Sequence, residues 1–551
     1  MHLRILLVSC FTVTVSAQYG QESIQFWNQL GREHLNQKLR WKSPSDKGPK
    51  NVIFFLGDGM GISMVTSGRV INSQKNGDAY LNHKWAFEKF DFTGLVKTSS
   101  YDYHTTDSAA GAMALFTGHK VEENTLGRLP GFGESCERGA EAHINDGIAE
   151  LAIAKGMDVG IVTTTRLTDA TPAANYAKGV HRLMEHDSSP LIVNTSCTDS
   201  AQQILMHPAN KFKVIMGGGH KYFTPTAENG SRTDGRNIEQ EWQQLPGSRK
   251  FLSSLDQLSD YSPSADDQVF GVFHDNSFDY HLDQKIAGKQ TQPRLVEMST
   301  KALEVLRASD NENGFYLMIE GGHIDLAEHD NKMHMAVEEL AEFSHTIETI
   351  RGLVGEDTLI VVTADHAHAL TLPGYVHKKN DIMAAEVEVP GMDIDGLPIP
   401  NVHFAVGPGY LTPRNYTRDQ MMDPQFVQPA HYPAHWGAHG GEDVGIWTQG
   451  PYSWLFSGSM ENTQVAYLIK FLLCLDANEP TLCATTVVDD AQYAAEPGYD
   501  SNPLPLILLA VVAIVASFAS LILGVLLFKM RQGLKRERIE SFNSMESKGK
   551  F

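Results

Sequence analysis

The stretch Val52-Ile53-Phe54-Phe55-Leu56-Gly57-Asp58-Gly59-Met60-Gly61 joins five consecutive apolar residues to a carboxylate set among glycines. An apolar run too short for a helix, and without alternation, reads as a strand buried on both faces. A carboxylate directly after such a strand stands where open α/β sheets build their sites, beyond the strand's carboxyl end. Taken alone, Asp58 is better explained as a helix cap than as a ligand. The same arrangement recurs, however. Further runs at 159–163, 214–216, 315–319 and 359–363 are short, β-branched or aromatic, and bounded by Gly, Asp or Thr. Glu320 follows the run at 315–319, and Asp365 and His366 follow the run at 359–363. Several such acids in one chain favour a site over a set of caps.

Helical patterns lie between the runs. Residues 333–350 place Met333, Ala336, Val337, Leu340, Ala341, Ser344 and Ile347 on one helical face. Strands alternating with helices predict an α/β fold, with a large, mostly parallel central sheet covered on both faces. Residues 22–40 predict a helix ahead of the first strand, a candidate arm for dimer contacts. Prolines scattered through 373–434 break the rhythm, and this region reads as an inserted subdomain.

Of 551 residues, 42% are hydrophobic and 20% charged, which is globular composition. The net charge of −21 argues against a nucleic-acid partner. Residues 1–17 have an early Arg4, an apolar run and a small-x-small ending, Val15-Ser16-Ala17, as a signal peptide does. Export makes an oxidising compartment, and Cys136, Cys197, Cys474 and Cys483 then remain. Cys474 and Cys483 flank a short Pro-containing turn, so they are paired, and Cys136 is joined to Cys197. Asn194, Asn229 and Asn415 head acceptor sequons. At the other end, 491–503 reads as a stalk and 504–528 as an uncharged transmembrane helix. A basic cytoplasmic tail, 529–551, follows. This predicts a type I protein at the cell surface with its catalytic domain, 18–490, outside. A glycolipid anchor is the alternative.

Asp325 and His329 are spaced i,i+4, which puts both on one face of a helix. Asp365-His366-Ala367-His368 offers further ligands, and His439 sits before two glycines. Carboxylate and imidazole without thiolate suit a catalytic zinc site, and carboxylate with hydroxyl suits magnesium. Asp107-Ser108-Ala109-Ala110-Gly111 suggests a helix beginning beneath an exposed hydroxyl, with amides free to receive phosphate.

VIFFLGDGMG, TDSAAGA, VTTTRLTDATPA, EGGHIDLAEHD, VTADHAHA and HGGEDV occur in this order along the chain. Together they resemble the alkaline phosphatase family in its animal branch. The resemblance implies hydrolysis of small phosphate monoesters through a phosphoserine on Ser108, a crown-like insertion at 373–434, and a homodimer. It implies two zinc ions and one magnesium ion. Asp325, His329 and His439 match the ligands of the first zinc. Asp58, Asp365 and His366, with Ser108, match those of the second. Asp58, Thr171 and Glu320 match the magnesium ligands. Arg182 falls where the family clamps phosphate, with Asp107 orienting it. His368 and Asp169 match residues behind the ligands, and Asp169 replaces a His found in many vertebrate members.

Two departures stand out. The calcium ligands of vertebrate members would fall at Phe273-His274 and near Gln292, where carboxylates are lacking, so no calcium site is predicted. Leu326 replaces a polar residue that reaches phosphate through water in many relatives. His323 is also unusual and is read as packed or solvated. Arg166 remains an alternative clamp, and His431 and His435 are alternatives to His439. Rival functions are a nucleotide phosphodiesterase of the same superfamily and a non-catalytic surface protein that kept the fold.

Overall fold

The computed structural model describes residues 24–39, 48–77, 83–131, 142–192, 197–374, 381–383, 399–412 and 416–483. All of these fall in one compact unit, Met1–Thr485. The predicted signal peptide, stalk, span and tail lie outside the described residues, as do Cys136, Asn194 and Asn415. No described helix is long and apolar enough to cross a membrane.

Ten strands make the central sheet. In chain order they are β1 (Asn51–Gly57), β2 (Phe92–Lys97), β3 (Asp158–Arg166), β4 (Val214–Gly218), β5 (Ser248–Leu252), β6 (Asp267–Val272), β7 (Phe315–Gly321), β8 (Thr358–Thr363), β9 (Val444–Gln449) and β10 (Gly458–Glu461). Their order across the sheet is β10-β2-β9-β8-β1-β7-β3-β4-β6-β5. Every neighbouring pair from β8 to β5 is parallel. Only β9 runs against the rest, antiparallel to β8 and to β2. All seven residues of β1 are buried, as its unbroken apolar run required.

Helices flank both faces. The relevant ones are α1 (Ile24–Lys38), α2 (Ile62–Lys75), α3 (Ser108–Thr117), α4 (Ala170–Ala173), α5 (Leu295–Ala308), α6 (His323–His329), α7 (Met333–Leu353) and α8 (Asn462–Leu472). Neighbouring residues of a strand point to opposite faces. On β1, Phe54 packs edge-on against Phe116 of α3, with ring centres 5.3 Å apart. Phe55 packs against Phe343 of α7 at 5.9 Å. The two helices therefore cover opposite faces, α3 together with α8, and α7 together with α2 and α5. Helix α7 buries more than its predicted stripe, including Met335, Phe343 and Thr346, because α5, α6 and α2 surround it.

Helix α1 lies against α8 of its own chain. Gly31 leaves room for the Tyr467 ring, and Arg32 pairs with Glu479 at 2.7 Å. Cys474 and Cys483 are disulfide-bonded to each other, and Cys197 is also in a disulfide. Within the predicted insertion, His403–Gly407 and Ala430–Pro433 join Leu370–Thr371 in a three-stranded sheet apart from the central one. A separate pair, Ala367–His368 with His439–Gly440, sets His368 opposite His439.

Candidate active site

The predicted ligands converge at the carboxyl ends of four adjacent strands, β8, β1, β7 and β3. Asp58 follows β1, Glu320 closes β7, Asp365 and His366 follow β8, and Asp169 follows β3. Helix α3 brings Ser108 to them. Asp107 caps that helix, accepting the N–H groups of Ala109 and Ala110 at 3.1 Å each. Gly111 then lets α3 approach the neighbouring chain, for a Cβ there would come within 3.0 Å of the Asp365 carbonyl. Ser108 Oγ ends 3.2 Å from His366 Nε2.

Two groups of donors flank this hydroxyl. In the first, His366 Nε2 lies 3.4 Å from Asp58 Oδ1 and 3.3 Å from Asp365 Oδ2. Neither of those buried oxygens has a hydrogen-bond donor. In the second, Asp325 lies 3.3 Å from His329 Nε2 and 3.6 Å from His439 Nε2. His368 backs it, with Nε2 2.5 Å from Asp325 Oδ1. His329 donates from Nδ1 to the Gly437 carbonyl at 2.6 Å, and His439 from Nδ1 to the Thr106 carbonyl at 2.8 Å. A carbonyl only accepts, so both Nδ1 atoms carry the proton. The two Nε2 atoms then face each other at 3.2 Å, and in neutral rings each presents a lone pair. Facing lone pairs in the second group, and carboxylate oxygens without donors in the first, fit bound cations and little else. Atoms of Asp58, Asp365 and His366 lie within 4.8 Å of one another, as do those of Asp325, His366, His368 and His439.

Electrostatics agree with that geometry. Burial, then Asp365, pushes Asp58 well above the usual carboxylate range, and burial with Asp325 does the same to Asp365. Burial raises Glu320 to about 7, against the hydroxyls of Thr163, Thr165 and Thr171, which hold it down. Burial lowers His439 to about 4 and His366 well below its usual value, so both imidazoles are neutral. Asp325 is pushed up by burial, but His329 and His368 outweigh this and hold it well below the ordinary range. A divalent cation would reverse the cost of gathering these acids.

A profile of the family described as "Alkaline phosphatase" matches residues 49–475. The chain belongs to the alkaline phosphatase family. It is 33% identical over 498 residues to the "Membrane-bound alkaline phosphatase" of Bombyx mori, across 86% of this chain and 89% of that one. It is 32% identical over 497 residues to the human "Alkaline phosphatase, tissue-nonspecific isozyme", across 86% and 93%. Among solved structures, the alkaline phosphatase of Thermus thermophilus matches with a TM-score of 0.59 at 20% identity, covering 79% of this chain and 93% of that one. The enzyme of the Antarctic bacterium TAB5 matches at 0.54 and 22%, covering 78% and 100%. These two bear on the fold alone. The family membership makes the protein a phosphatase of the hydrolase class.

Within this alkaline phosphatase, the two candidate arginines part company. Arg182 Nη1 donates to Asp107 Oδ2 at 3.0 Å and Nη2 to Asp169 Oδ1 at 3.3 Å. Arg166 is gripped by Glu185 at 2.8 Å and by the other Asp169 oxygen at 2.7 Å. Glu185 belongs to no motif and was missed. Also missed were Thr163 and Thr165, whose hydroxyls both donate to Glu320 Oε2. Their i,i+2 spacing on β3 places them on one side of the strand, a signal that was readable. Thr171 is the second residue of the short α4, capped by Asp169.

His431 is exposed, with Nε2 2.7 Å from His403 Nε2, and His435 is exposed as well. His323 is buried edge-on to the Tyr280 ring at 5.4 Å, which is the packed role. Leu326 is half-buried, one residue after Asp325. Around the residues matched to the vertebrate calcium ligands, His274 Nδ1 donates to the Ser277 carbonyl at 2.7 Å, and Gln292 Nε2 donates to Asp279 at 2.6 Å.

Proposed function

We propose that the protein is a phosphomonoesterase that attacks with Ser108 and passes through a phosphoserine. The observation that carries this reading is the Ser108 hydroxyl, held by a capped helix against His366, beside two donor groups and an arginine fixed by Asp107. Asp325, His329 and His439 would hold one zinc ion. Asp58, Asp365 and His366, with Ser108, would hold a second. Asp58, Thr171 and Glu320 would hold magnesium. Bound cations would lower the pKa of the Ser108 hydroxyl and offset charge on the oxygens that enter and leave phosphorus.

The chain's own groups do the remaining work. Arg182 offers two N–H groups in a fork that matches two phosphoryl oxygens, a geometry Lys lacks. Asp107 and Asp169 each take one of its nitrogens and so fix its plane. The first amides of α3 add donors around the phosphoryl group. Ser108 Oγ bonds to phosphorus in line as the alcohol leaves with its oxygen. Water then attacks the phosphoserine, freeing phosphate and restoring the hydroxyl. His368 holds Asp325 from behind, so the carboxylate keeps its orientation through the cycle.

The membrane-bound relative and the uncharged segment at 504–528 support a cell-surface enzyme with an external catalytic domain. The homodimer and the crown-like role of 373–434 rest on the family resemblance. Release by a phosphatidylinositol-specific phospholipase would replace the span with a glycolipid anchor. The decisive test measures zinc and magnesium content beside hydrolysis of p-nitrophenyl phosphate and bis-p-nitrophenyl phosphate across pH. Monoester hydrolysis should dominate and rise into the alkaline range. Faster diester cleavage would defeat the reading.

A further inference from the structure

Trp436 is 66% exposed, although tryptophan is on average among the most buried side chains. It is not on a loose loop. The next residue, Gly437, donates its N–H to the His329 carbonyl at 2.7 Å and accepts from His329 Nδ1 at 2.6 Å. A Cβ on Gly437 would lie 2.6 Å from the Glu328 carbonyl, so the backbone presses directly on the end of α6. The indole is thereby held edge-on to the His329 ring, with centres 6.5 Å apart and planes at 83°. An exposed indole beside a buried polar site offers a ligand a flat apolar face.

We propose that Trp436 is a specificity-determining residue, a wall on which a flat leaving group stacks, as the base of a nucleoside 5′-monophosphate does. This rests on the phosphomonoesterase reading above. In that reading Ser108 and Arg182 take the phosphoryl group, and Ser108 lies against His366 of the Asp58 group, so in-line departure would carry the alcohol toward the group of Asp325, His329 and His439. The indole borders that same group, at His329. It therefore meets the part of the ester that differs from one substrate to the next. Its chemistry selects for flatness: the ring is neutral, carries one N–H donor and no acceptor, and its π-face accepts any planar base. It offers an aliphatic alcohol such as glycerol little beyond its edge.

The test uses adenosine 5′-monophosphate and glycerol 2-phosphate on the full-length enzyme. Both release unactivated alkyl alcohols, and only adenosine 5′-monophosphate carries a flat base. Trp436→Ala should raise KM for adenosine 5′-monophosphate roughly tenfold, within the range that loss of one base–aromatic stack brings. It should leave kcat, and both constants for glycerol 2-phosphate, within about twofold. Trp436→Phe should restore most of the loss, because a ring returns. An unchanged ratio of kcat/KM between the two substrates would overturn the inference. That holds whether neither value moves or both fall together, as they would if the indole merely props His329 or meets a second copy of the chain. A wild-type enzyme inactive on both esters would instead overturn the phosphomonoesterase reading, and the inference with it.

Discussion

Arg166 and Arg182 bring the same charge to the same wall of the site, and their partners decide which can grip a substrate. Arg166 commits all three nitrogens, Nε to Glu185, Nη1 to Ser277 and Nη2 to Asp169. Arg182 is braced by single bonds to Asp107 and Asp169. Arg182→Lys should lower kcat/KM for p-nitrophenyl phosphate by about 10²-fold, the order expected when a charge-stabilising donor is lost. Metal content should stay unchanged. Arg166→Lys should cost under about tenfold, since its effect passes through Asp169. Steady-state kinetics on the two variants would reverse the assignment if Arg166 proved the more sensitive. A second residue-scale effect lies away from the site. Burial raises Glu339 to about 8, well above its ordinary 4.5, while it accepts the His281 N–H at 2.6 Å. The folded protein keeps a proton there that the unfolded chain releases. That stabilisation is whole below about pH 4.5 and is lost as pH rises through about 8. Glu339→Gln keeps the carbonyl acceptor without the charge. It should raise the melting temperature by roughly a few degrees at pH 9 and leave it unchanged near pH 4. Thermal melts at the two pH values would refute this if the order were reversed.

At the scale of elements, legibility followed unbroken apolar runs. Strands β1, β3, β4, β7 and β8 are central and covered on both faces, so their apolar runs showed in the sequence. Of the missed strands, β2, β5 and β10 are partly exposed, while β6 and β9 are buried but have their apolar runs broken by glycine and polar residues. Strand β2, Phe92-Thr93-Gly94-Leu95-Val96-Lys97, buries only Gly94 and Val96. Strand β10 is Gly458-Ser459-Met460-Glu461, which carries no strand signature and exists through its pairing with β2. The ligands were legible because they sit at the ends of the readable strands. Glu185 and Trp436 were not, because they stand on irregular segments whose course depends on tertiary contacts. The turn after β1 shows how tightly such an element is set. A Cβ on Gly61 would lie 2.5 Å from the Ala367 Cβ, so turn and short strand cannot both keep their places. Gly61→Ala should lower the melting temperature by roughly 5 °C and weaken zinc retention, as overpacking costs about 1–3 kcal/mol. Gly352→Ala, where a Cβ meets nothing within 4 Å, should be neutral or slightly stabilising. Metal analysis after dialysis would count against the argument if the two variants behaved alike.

For the molecule as a whole, the site is also the centre of the sheet. Strands β8, β1, β7 and β3 stand side by side, and the acids Asp58, Asp365 and Glu320 close their ends. Buried without cations, Asp58 and Asp365 are raised well above the usual range, by burial first and then by the neighbouring acids. Their strain therefore loads the central strands rather than a peripheral loop. Metal binding to the folded state alone stabilises it by RT ln(1 + [L]/Kd), about 4 kcal/mol at a thousandfold excess over Kd. At roughly 2–4 °C per kcal/mol for a domain of about 200 residues or more, chelation should lower the melting temperature by about 10 °C. The transition should remain single, because the strands that lose support are those on which the other helices pack. Zinc and magnesium returned together should restore both the melting temperature and activity. Asp365→Asn removes one of the repelling charges, so the chelated variant should melt higher than the chelated wild type while its metal-loaded form melts lower. Calorimetry with and without chelator decides the matter. Loss of activity with no change in melting temperature would mean that the cluster stands unaided and the cations contribute chemistry alone.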